Sequence, residues 1–229
     1  HTAGKGRTVL MNLEAAFLSV SPYGNAESAT TVRPCAPALA SYAFMGNLLG
    51  RLGVAPRFRA RLDGGPPLGV KLVELKRGDA VLLAVEVKPM AGADYPRQLA
   101  LELGGERHVV DIKAGRVLGQ TRTIECSVHP YDIFLFALLP RKPGRLEVSA
   151  PAAVRAGETV RAAVARRDSP ASSLVRFSLI RPDGAELRDY QRQVLTDGPQ
   201  AEAGIPLPYN AAAGEWTLEA TDLLTQVSQ

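Results

Sequence analysis

Four carboxylic acids are the candidates for acid–base chemistry in this sequence: Asp111, Glu125, Asp132 and Asp183. Two carboxyl groups roughly 5 to 9.5 Å apart, one of them kept protonated by its surroundings, can hydrolyse a glycosidic bond. However, Asp183 lies in a Pro-Asp-Gly sequence typical of a tight turn, and Asp111 precedes a turn predicted at Lys113–Arg116. Since carboxylates are seldom buried, we predict a turn or surface role for all four and no catalytic residue.

The histidines, serines and glycine-rich stretches offer no stronger site. His108 and His129 have no second ligand at metal-binding spacing. No G-x-S-x-G motif occurs, and Ser41 has a structural explanation as a predicted helix cap. Gly4-Lys5-Gly6 precedes a predicted strand, whereas a phosphate loop follows a strand and opens a helix. We therefore predict no metal site, no cofactor and no nucleophilic centre.

Two aromatic residues are candidates for a carbohydrate contact, Tyr209 and Trp216. Aromatic rings can bind sugars when they stand exposed on a surface. Tyr209 lies in a Pro-rich loop, which predicts an exposed ring. Trp216 alternates in phase with Leu218 and Ala220, which predicts a side chain in the core of a β layer. The low aromatic content of 6% counts against a carbohydrate-binding module but leaves it open.

The composition is that of a folded, loop-rich chain, and it disfavours nucleic-acid and membrane partners. The formal charge is +4, from 27 basic and 23 acidic residues without a basic tract. The densest basic stretches, Arg57–Arg61 and Arg141–Arg145, are interpreted as solvated connecting segments. No apolar run approaches the roughly 20 residues that span a bilayer. Cys35 and Cys126 belong to no CxxC pair, which leaves one long-range disulfide bond open.

The first 62 residues have the pattern of half an α/β unit. Thr8–Leu13 is a continuous apolar run, typical of a strand that is buried on both faces. Ser41 is predicted to cap a helix, and Gly53 is predicted to end it. The apolar face of that helix consists of Tyr42, Met45, Leu49 and Leu52. One strand and one helix do not complete a domain, so residues 1–62 are interpreted as a partial α/β segment.

From Leu68 onward the apolar residues recur with the period of β-strands. A hairpin is predicted around Gly78-Asp79, followed by strands in QLALEL, RHVVDIK, RTIECSV and DIFLFALLP. After a hinge at Arg141–Gly144 the pattern restarts with LEVSA, GETVRAAVA, LVRFSLIRPDG, LRDYQRQVL and GEWTLEATD. The predicted fold is therefore mainly β: two antiparallel β-sandwich (immunoglobulin-like) domains, at residues 63–143 and 144–229, after the partial α/β segment.

Three segments together resemble the C-terminal half of bacterial β-galactosidase-like glycoside hydrolases. GKGRTVLMNL with SYAFMGNLLGRLGV resembles the last strand and helix of an amidotransferase-like α/β domain. HVVDIKAGRVLG with DIFLFALLP resembles the β-sandwich after it. FSLIRPDGAELRDYQRQVL with IPLPYNAAAGEWTLEATD is similar to the immunoglobulin-like module that ends such chains. The resemblance covers nearly the whole chain through fold signatures rather than reactive groups.

The resemblance implies a non-catalytic, C-terminal accessory region of a glycoside hydrolase. In that family the paired carboxylates lie in an upstream barrel that nothing in this sequence resembles, so no catalytic residue carries over. The chain is thus expected to be a fragment and not itself an enzyme. Its expected partners are the upstream catalytic domain, a second copy of the chain or a carbohydrate, and a carbohydrate-binding module is the alternative function. The resemblance favours a periplasmic or extracellular location.

Overall fold

The computed structural model describes residues 2–3, 6–7, 36–166, 173–196 and 198–229. The predicted strand Thr8–Leu13 and Cys35 lie outside these residues. The chain is mainly β, with several antiparallel sheets, which confirms the predicted fold class at that level. Within the described part, no helix is both long and apolar enough to cross a membrane.

The described strands form four sheets. The strands are β1 Thr2–Ala3, β2 Gly6–Arg7, β3 Arg59–Leu62, β4 Val70–Arg77, β5 Ala80–Val87, β6 Arg97–Asp111, β7 Arg116–Val128, β8 Ile133–Leu139, β9 Leu146–Ser149, β10 Thr159–Arg166, β11 Ser173–Ile180, β12 Arg192–Thr196, β13 Gln200–Pro206, β14 Thr217–Asp222 and β15 Val227–Ser228. One sheet is the short pair β1-β2, and the largest has the order β3-β6-β8-β5-β4, with β7 also paired to β6. The other two sheets have the orders β13-β10-β9 and β12-β11-β14-β15.

The chain divides into two compact units. The first contains the described residues up to Leu72, with Val85–Gly105 and Arg122–Ile133. The second contains Val73–Ala84, Glu106–Thr121 and the described residues from Phe134 to Gln229.

Helix α1 spans Ala36–Arg51, so it begins before the predicted cap at Ser41, and that prediction is wrong. The residues from Ala36 to Ala40 are mostly Ala and Leu, which favour helix, and Pro37 is tolerated in a first turn. Of the predicted apolar face, Met45 and Leu52 are half-buried, whereas Leu49 is 42% exposed. The side chain of Tyr42 lies outside the described part.

The end of α1 is the one that its sequence predicts. Gly53 has a φ of 78°, a conformation in which glycine carries no Cβ penalty. The Gly53 N–H donates to the Gly50 carbonyl over 3.0 Å, and the Val54 N–H donates to the Leu49 carbonyl over 2.9 Å. These two bonds are those of a Schellman motif, in which a left-handed glycine satisfies the last carbonyls of a helix.

The largest sheet corrects two predictions. Arg57–Arg61 is not simply a connecting segment, because Arg59–Leu62 forms β3 and pairs antiparallel with Leu99–Glu102 of β6. QLALEL and RHVVDIK are one strand, β6, rather than two. Gly104 lies within this strand with a φ of 67°, and a Cβ there would lie 2.5 Å from the Arg57 carbonyl oxygen. The glycine thus permits a close backbone approach within a strand.

The predicted turns and the second basic stretch are confirmed. Gly78 has a φ of 56° in the turn between β4 and β5. Lys113–Arg116 contains the turn between β6 and β7, where Gly115 has a φ of 63°. Arg141–Arg145 lies between β8 and β9 without strand or helix.

The two sheets formed by β9 to β15 contribute to one hydrophobic cluster. Its buried residues include Leu146, Val164, Val175, Phe177, Ile205 and Ala220. The predicted strand LRDYQRQVL begins instead with a 3-10 turn at Arg188–Tyr190, and only its second half forms β12. β13 was not predicted, although Ala201 and Ile205 are buried on its inner face. Its apolar positions carry two alanines, which have low strand propensity.

Candidate functional site

A buried ion pair joins the ends of β10 and β14. The side chains of Arg166 and Asp222 are both 0% exposed, and Arg166 Nε lies 3.3 Å from Asp222 Oδ2. The Ser173 hydroxyl, at the start of β11, donates to Asp222 Oδ1 over 2.5 Å. We call Arg166, Ser173 and Asp222 the buried Arg–Asp centre. It is the most strongly desolvated set of charges in the described part of the chain.

The Asp222 carboxylate also organises the turn that follows it. Its Oδ1 accepts hydrogen bonds from the N–H groups of Leu224 at 3.0 Å and Thr225 at 3.2 Å. The Gln226 N–H closes the turn on the Asp222 carbonyl at 2.7 Å. A carboxylate that accepts backbone N–H groups two and three residues on fixes a local turn. We call Asp222–Gln226 the C-terminal turn.

The C-terminal turn places Leu224 in a hydrophobic cluster with residues of the largest sheet. That cluster contains Ala80 of β5, Val110 of β6, and Ala137 and Leu139 of β8. Leu224, two residues after β14, therefore packs in one cluster with residues near the ends of β5, β6 and β8. Gln226 lies close to the β6–β7 turn, since a Cβ on Gly115 would be 3.5 Å from its Oε1.

The Arg–Asp centre is suited to stabilising the fold and not to transferring a proton. Burial lowers the pKa of the Arg166 guanidinium, while the negative charge of Asp222 acts in the opposite direction. Arginine nevertheless stays protonated in proteins, so it cannot serve as a general base near neutral pH. Burying two charges is costly, and the pair is retained only where its geometry and additional hydrogen bonds offset that cost.

Of the four carboxylic acids predicted to be turn or surface residues, three accept backbone hydrogen bonds in turns and one is at the surface, although Asp111 is buried in its turn. Asp111 accepts from the Ala114 N–H at 3.0 Å in the β6–β7 turn. Asp132 accepts from the His129 N–H at 2.7 Å. Asp183 accepts from Arg181 Nη2 at 2.6 Å and from the Ala185 N–H at 3.1 Å. Glu125 is exposed on β7.

Two other carboxylates share a depression that the sequence did not predict. Glu147 of β9 and Glu202 of β13 line a shallow space of 290 Å³. Ala165 pairs with Glu147 on one side, and Ala163 pairs with Glu202 on the other. With strands about 4.8 Å apart and a rise of about 3.4 Å per residue, the two Cα atoms are about 12 Å apart. Glycosidase carboxyl groups are no more than about 9.5 Å apart, and a Cα separation of about 12 Å does not by itself bring the two carboxyl groups within that distance.

The two predicted carbohydrate contacts are separate. Tyr209 is 92% exposed, as predicted, and its ring lies against Gly157, where a Cβ would meet it at 2.6 Å. Trp216 is half-buried and packs against the hydrophobic cluster of β9 to β15, so it is a residue of the core's edge. Trp216 lines a groove of 470 Å³ to which Tyr209 does not contribute.

His108 and His129, the two described histidines, lie in different surroundings. His129 is exposed, whereas His108 is buried on β6 opposite Leu139. Burial lowers the pKa of His108, and the charge of Lys142 lowers it further. In the described residues, no group of three or more His, Cys, Asp or Glu side chains could hold a metal ion. Cys126 is half-buried on β7.

Replacing Asp222 with Asn should destabilise the protein by about 3 to 5 kcal/mol, because it leaves the buried Arg166 charge without its counter-ion. Asparagine retains an oxygen that can accept from Ser173 and from the C-terminal turn, so the substitution isolates the charge. The free energy of unfolding in urea measures the effect.

The matched control is Asp183→Asn, which removes an exposed ion pair with Arg181. It should cost less than about 1 kcal/mol. Adding Arg166→Met to Asp222→Asn should recover part of the lost stability, because no buried charge remains. Equal effects of the two aspartate substitutions would contradict a special role for the Arg–Asp centre.

His108 should make the protein less stable in mild acid. Its folded pKa lies below the ordinary value of 6.5, so the unfolded state binds the proton more readily. Stability from neutral His108 is present above the unfolded pKa and is lost as the pH falls through and below it. Unfolding free energies at about pH 7.5 and about pH 5.5 should differ more for the native chain than for His108→Gln. An unchanged pH dependence in His108→Gln would show that other groups cause the loss.

Comparisons with known proteins supply no family for the chain. No protein-family model and no curated protein matches it. The resemblance to β-galactosidase-like glycoside hydrolases therefore depends on the strand and turn segments quoted above.

Proposed function

We propose that the chain is a non-catalytic accessory region of a larger glycoside hydrolase, which it serves as a structural support. In this proposal β9 to β15 form an immunoglobulin-like sandwich, and the largest sheet belongs to a second sandwich. The shared hydrophobic cluster of β9 to β15 supports the first assignment. The family resemblance supports the enzyme to which the chain would belong.

The observation that carries this proposal is that Leu224 belongs to one hydrophobic cluster with Ala80, Val110, Ala137 and Leu139. A support transmits force only if its parts do not move independently. Inter-domain contacts are often small and polar, which permits relative motion. Here an apolar side chain is held by a turn that a buried charge organises, and this arrangement favours a stiff connection between the last strands and the largest sheet.

The proposed partners follow from this role. The first is an upstream catalytic domain of the same parent chain, and the second is another copy of the chain. The family resemblance favours a periplasmic or extracellular setting. The carboxylates that were candidates for acid–base chemistry support a non-catalytic role, because Asp111, Asp132 and Asp183 each accept a backbone hydrogen bond in a turn.

A carbohydrate-binding module is the second candidate function. The observation in its favour is the groove beside Trp216, whose volume of 470 Å³ is in the range of small-molecule sites. The fully exposed ring of Tyr209 is a weaker argument, because a single tyrosine outside that groove presents little surface to a sugar. The two candidate functions are compatible, since a supporting module can also hold substrate.

The purified chain should hydrolyse no aryl glycoside. The test is a panel of chromogenic α- and β-glycosides at neutral and mildly acidic pH, with release of the aryl alcohol measured against a protein-free blank. Turnover that disappears in Glu147→Gln or Glu202→Gln would overturn the accessory role, because these two carboxylates share one depression. Turnover that survives both changes but tracks with the purified chain would also overturn it.

A further inference from the structure

The groove beside Trp216 is formed by three parts of the second unit. The lining comes from the segment between β9 and β10, from the segment before β14 together with Leu207, and from residues of β10, β11 and β14. It includes Ala152, Ala153, Val154, Leu179, Glu215 and Trp216.

The indole ring is fixed in this groove rather than mobile. Its Nε1–H donates to the Ala212 carbonyl at 3.0 Å, and one part of the ring packs against the hydrophobic cluster. The segment that carries it is also constrained, because a Cβ on Gly214 would lie 2.9 Å from Pro182 Cγ. A ring that is already ordered loses little conformational entropy when a ligand stacks on it.

The lining combines an apolar surface with polar groups at its rim. Ala152 and Ala153 present small side chains, and Leu179 supplies apolar depth. Glu215 is exposed at the rim. Ala152 and Ala153 are exposed and line the groove. A backbone segment at the surface of a groove can offer N–H and C=O groups to a ligand that has hydroxyl groups.

We propose that this groove binds one pyranose ring of a carbohydrate chain. A pyranose has an apolar C–H face that can lie on an indole, and a rim of hydroxyl groups that can reach a carboxylate and backbone groups. The Glu215 carboxylate accepts from the sugar hydroxyls, and the backbone of Ala152–Val154 both donates and accepts. A wholly apolar ligand fits less well, because it would cover the carboxylate and the backbone groups without pairing them.

This inference deepens the carbohydrate-binding candidate and depends on it. It also divides the two aromatic candidates, since the site uses Trp216 and excludes Tyr209. Binding at the groove does not require hydrolysis, so the glycosidase assay and the binding assay fail independently. Observed hydrolysis would overturn the accessory role alone, and absent sugar binding would overturn the groove proposal alone.

Trp216 is the single tryptophan of the chain, so its fluorescence reports directly on the groove. The experiment titrates the chain with β-linked gluco-, galacto-, manno- and xylo-trisaccharides, and with decanoate as an apolar probe. At least one trisaccharide should change the emission in a saturable manner, and decanoate should not. A response to decanoate alone would replace the proposal with an apolar site. No response to any trisaccharide would overturn it.

Four variants locate the site, with affinity measured by calorimetry because one of them lacks the fluorophore. Trp216→Ala should abolish binding, and Glu215→Gln should weaken it about fivefold or more through loss of a charged hydrogen bond. Ala152→Phe should block the groove from a loop position, which keeps the test valid if Trp216→Ala unfolds. Tyr209→Ala is the matched aromatic control and should bind as the native chain does. Binding that is lost in Tyr209→Ala but kept in the other three would place the sugar elsewhere and contradict the proposal.

Discussion

The burial of the Arg166 charge beside Asp222 is the constraint on which the C-terminal half of the structure depends. Neither side chain reaches solvent, so each charge is tolerated only in the presence of the other. The second oxygen of the same carboxylate accepts from Ser173, Leu224 and Thr225. One carboxylate therefore joins the end of β10, the start of β11 and the C-terminal turn. An arrangement that misplaces any of these three elements leaves a buried charge or a backbone N–H without its acceptor.

This constraint connects local chemistry to the architecture. The C-terminal turn is the reason that Leu224 points into the cluster with Val110 and Leu139 instead of into solvent. The hydrophobic contribution of one leucine is modest, but its position is specified by charge and hydrogen bonds that cannot shift by small amounts. The groove beside Trp216 lies in the same unit and draws part of its lining from the same core. A stiff core keeps such a groove open and ordered, which suits both candidate functions.

Many of the strand positions along the chain could be predicted because the side chains of a strand alternate with a period of two residues. β4, β5, β8, β10 and β11 coincide closely with the predicted strands; Gly78 marks the turn between β4 and β5, and Gly115 marks the turn between β6 and β7. β13 was missed because alanine is a weak strand signal, and β3 because its arginines suggested a solvated loop. β6 was predicted as the two strands QLALEL and RHVVDIK, whereas the positive φ of Gly104 accommodates the Arg57 carbonyl within one continuous strand.

The sites were harder to predict than the strands. The turn roles of Asp111 and Asp183 follow from local sequence, because the backbone N–H groups that donate to them are only two or three residues away. The Arg–Asp centre has no such signal, since Arg166 and Asp222 meet only through the pairing of distant strands. The depression between Glu147 and Glu202 depends in the same way on the register of three strands. Trp216 was predicted to lie in the core and is half-buried at its edge, and its neighbours in the groove come from segments that are far apart in the chain.

Native-state hydrogen exchange on the purified chain tests the central claim most directly, which is that Leu224 couples the last strands to the largest sheet. The amides to compare are those of Val109 and Val110 in β6 with those of Val164 in β10 and Val175 in β11, which are all buried. The account predicts that both groups open with the same free energy in the native chain, and that Leu224→Ala separates them into two steps. Two distinct opening free energies in the native chain, unchanged by Leu224→Ala, would contradict it.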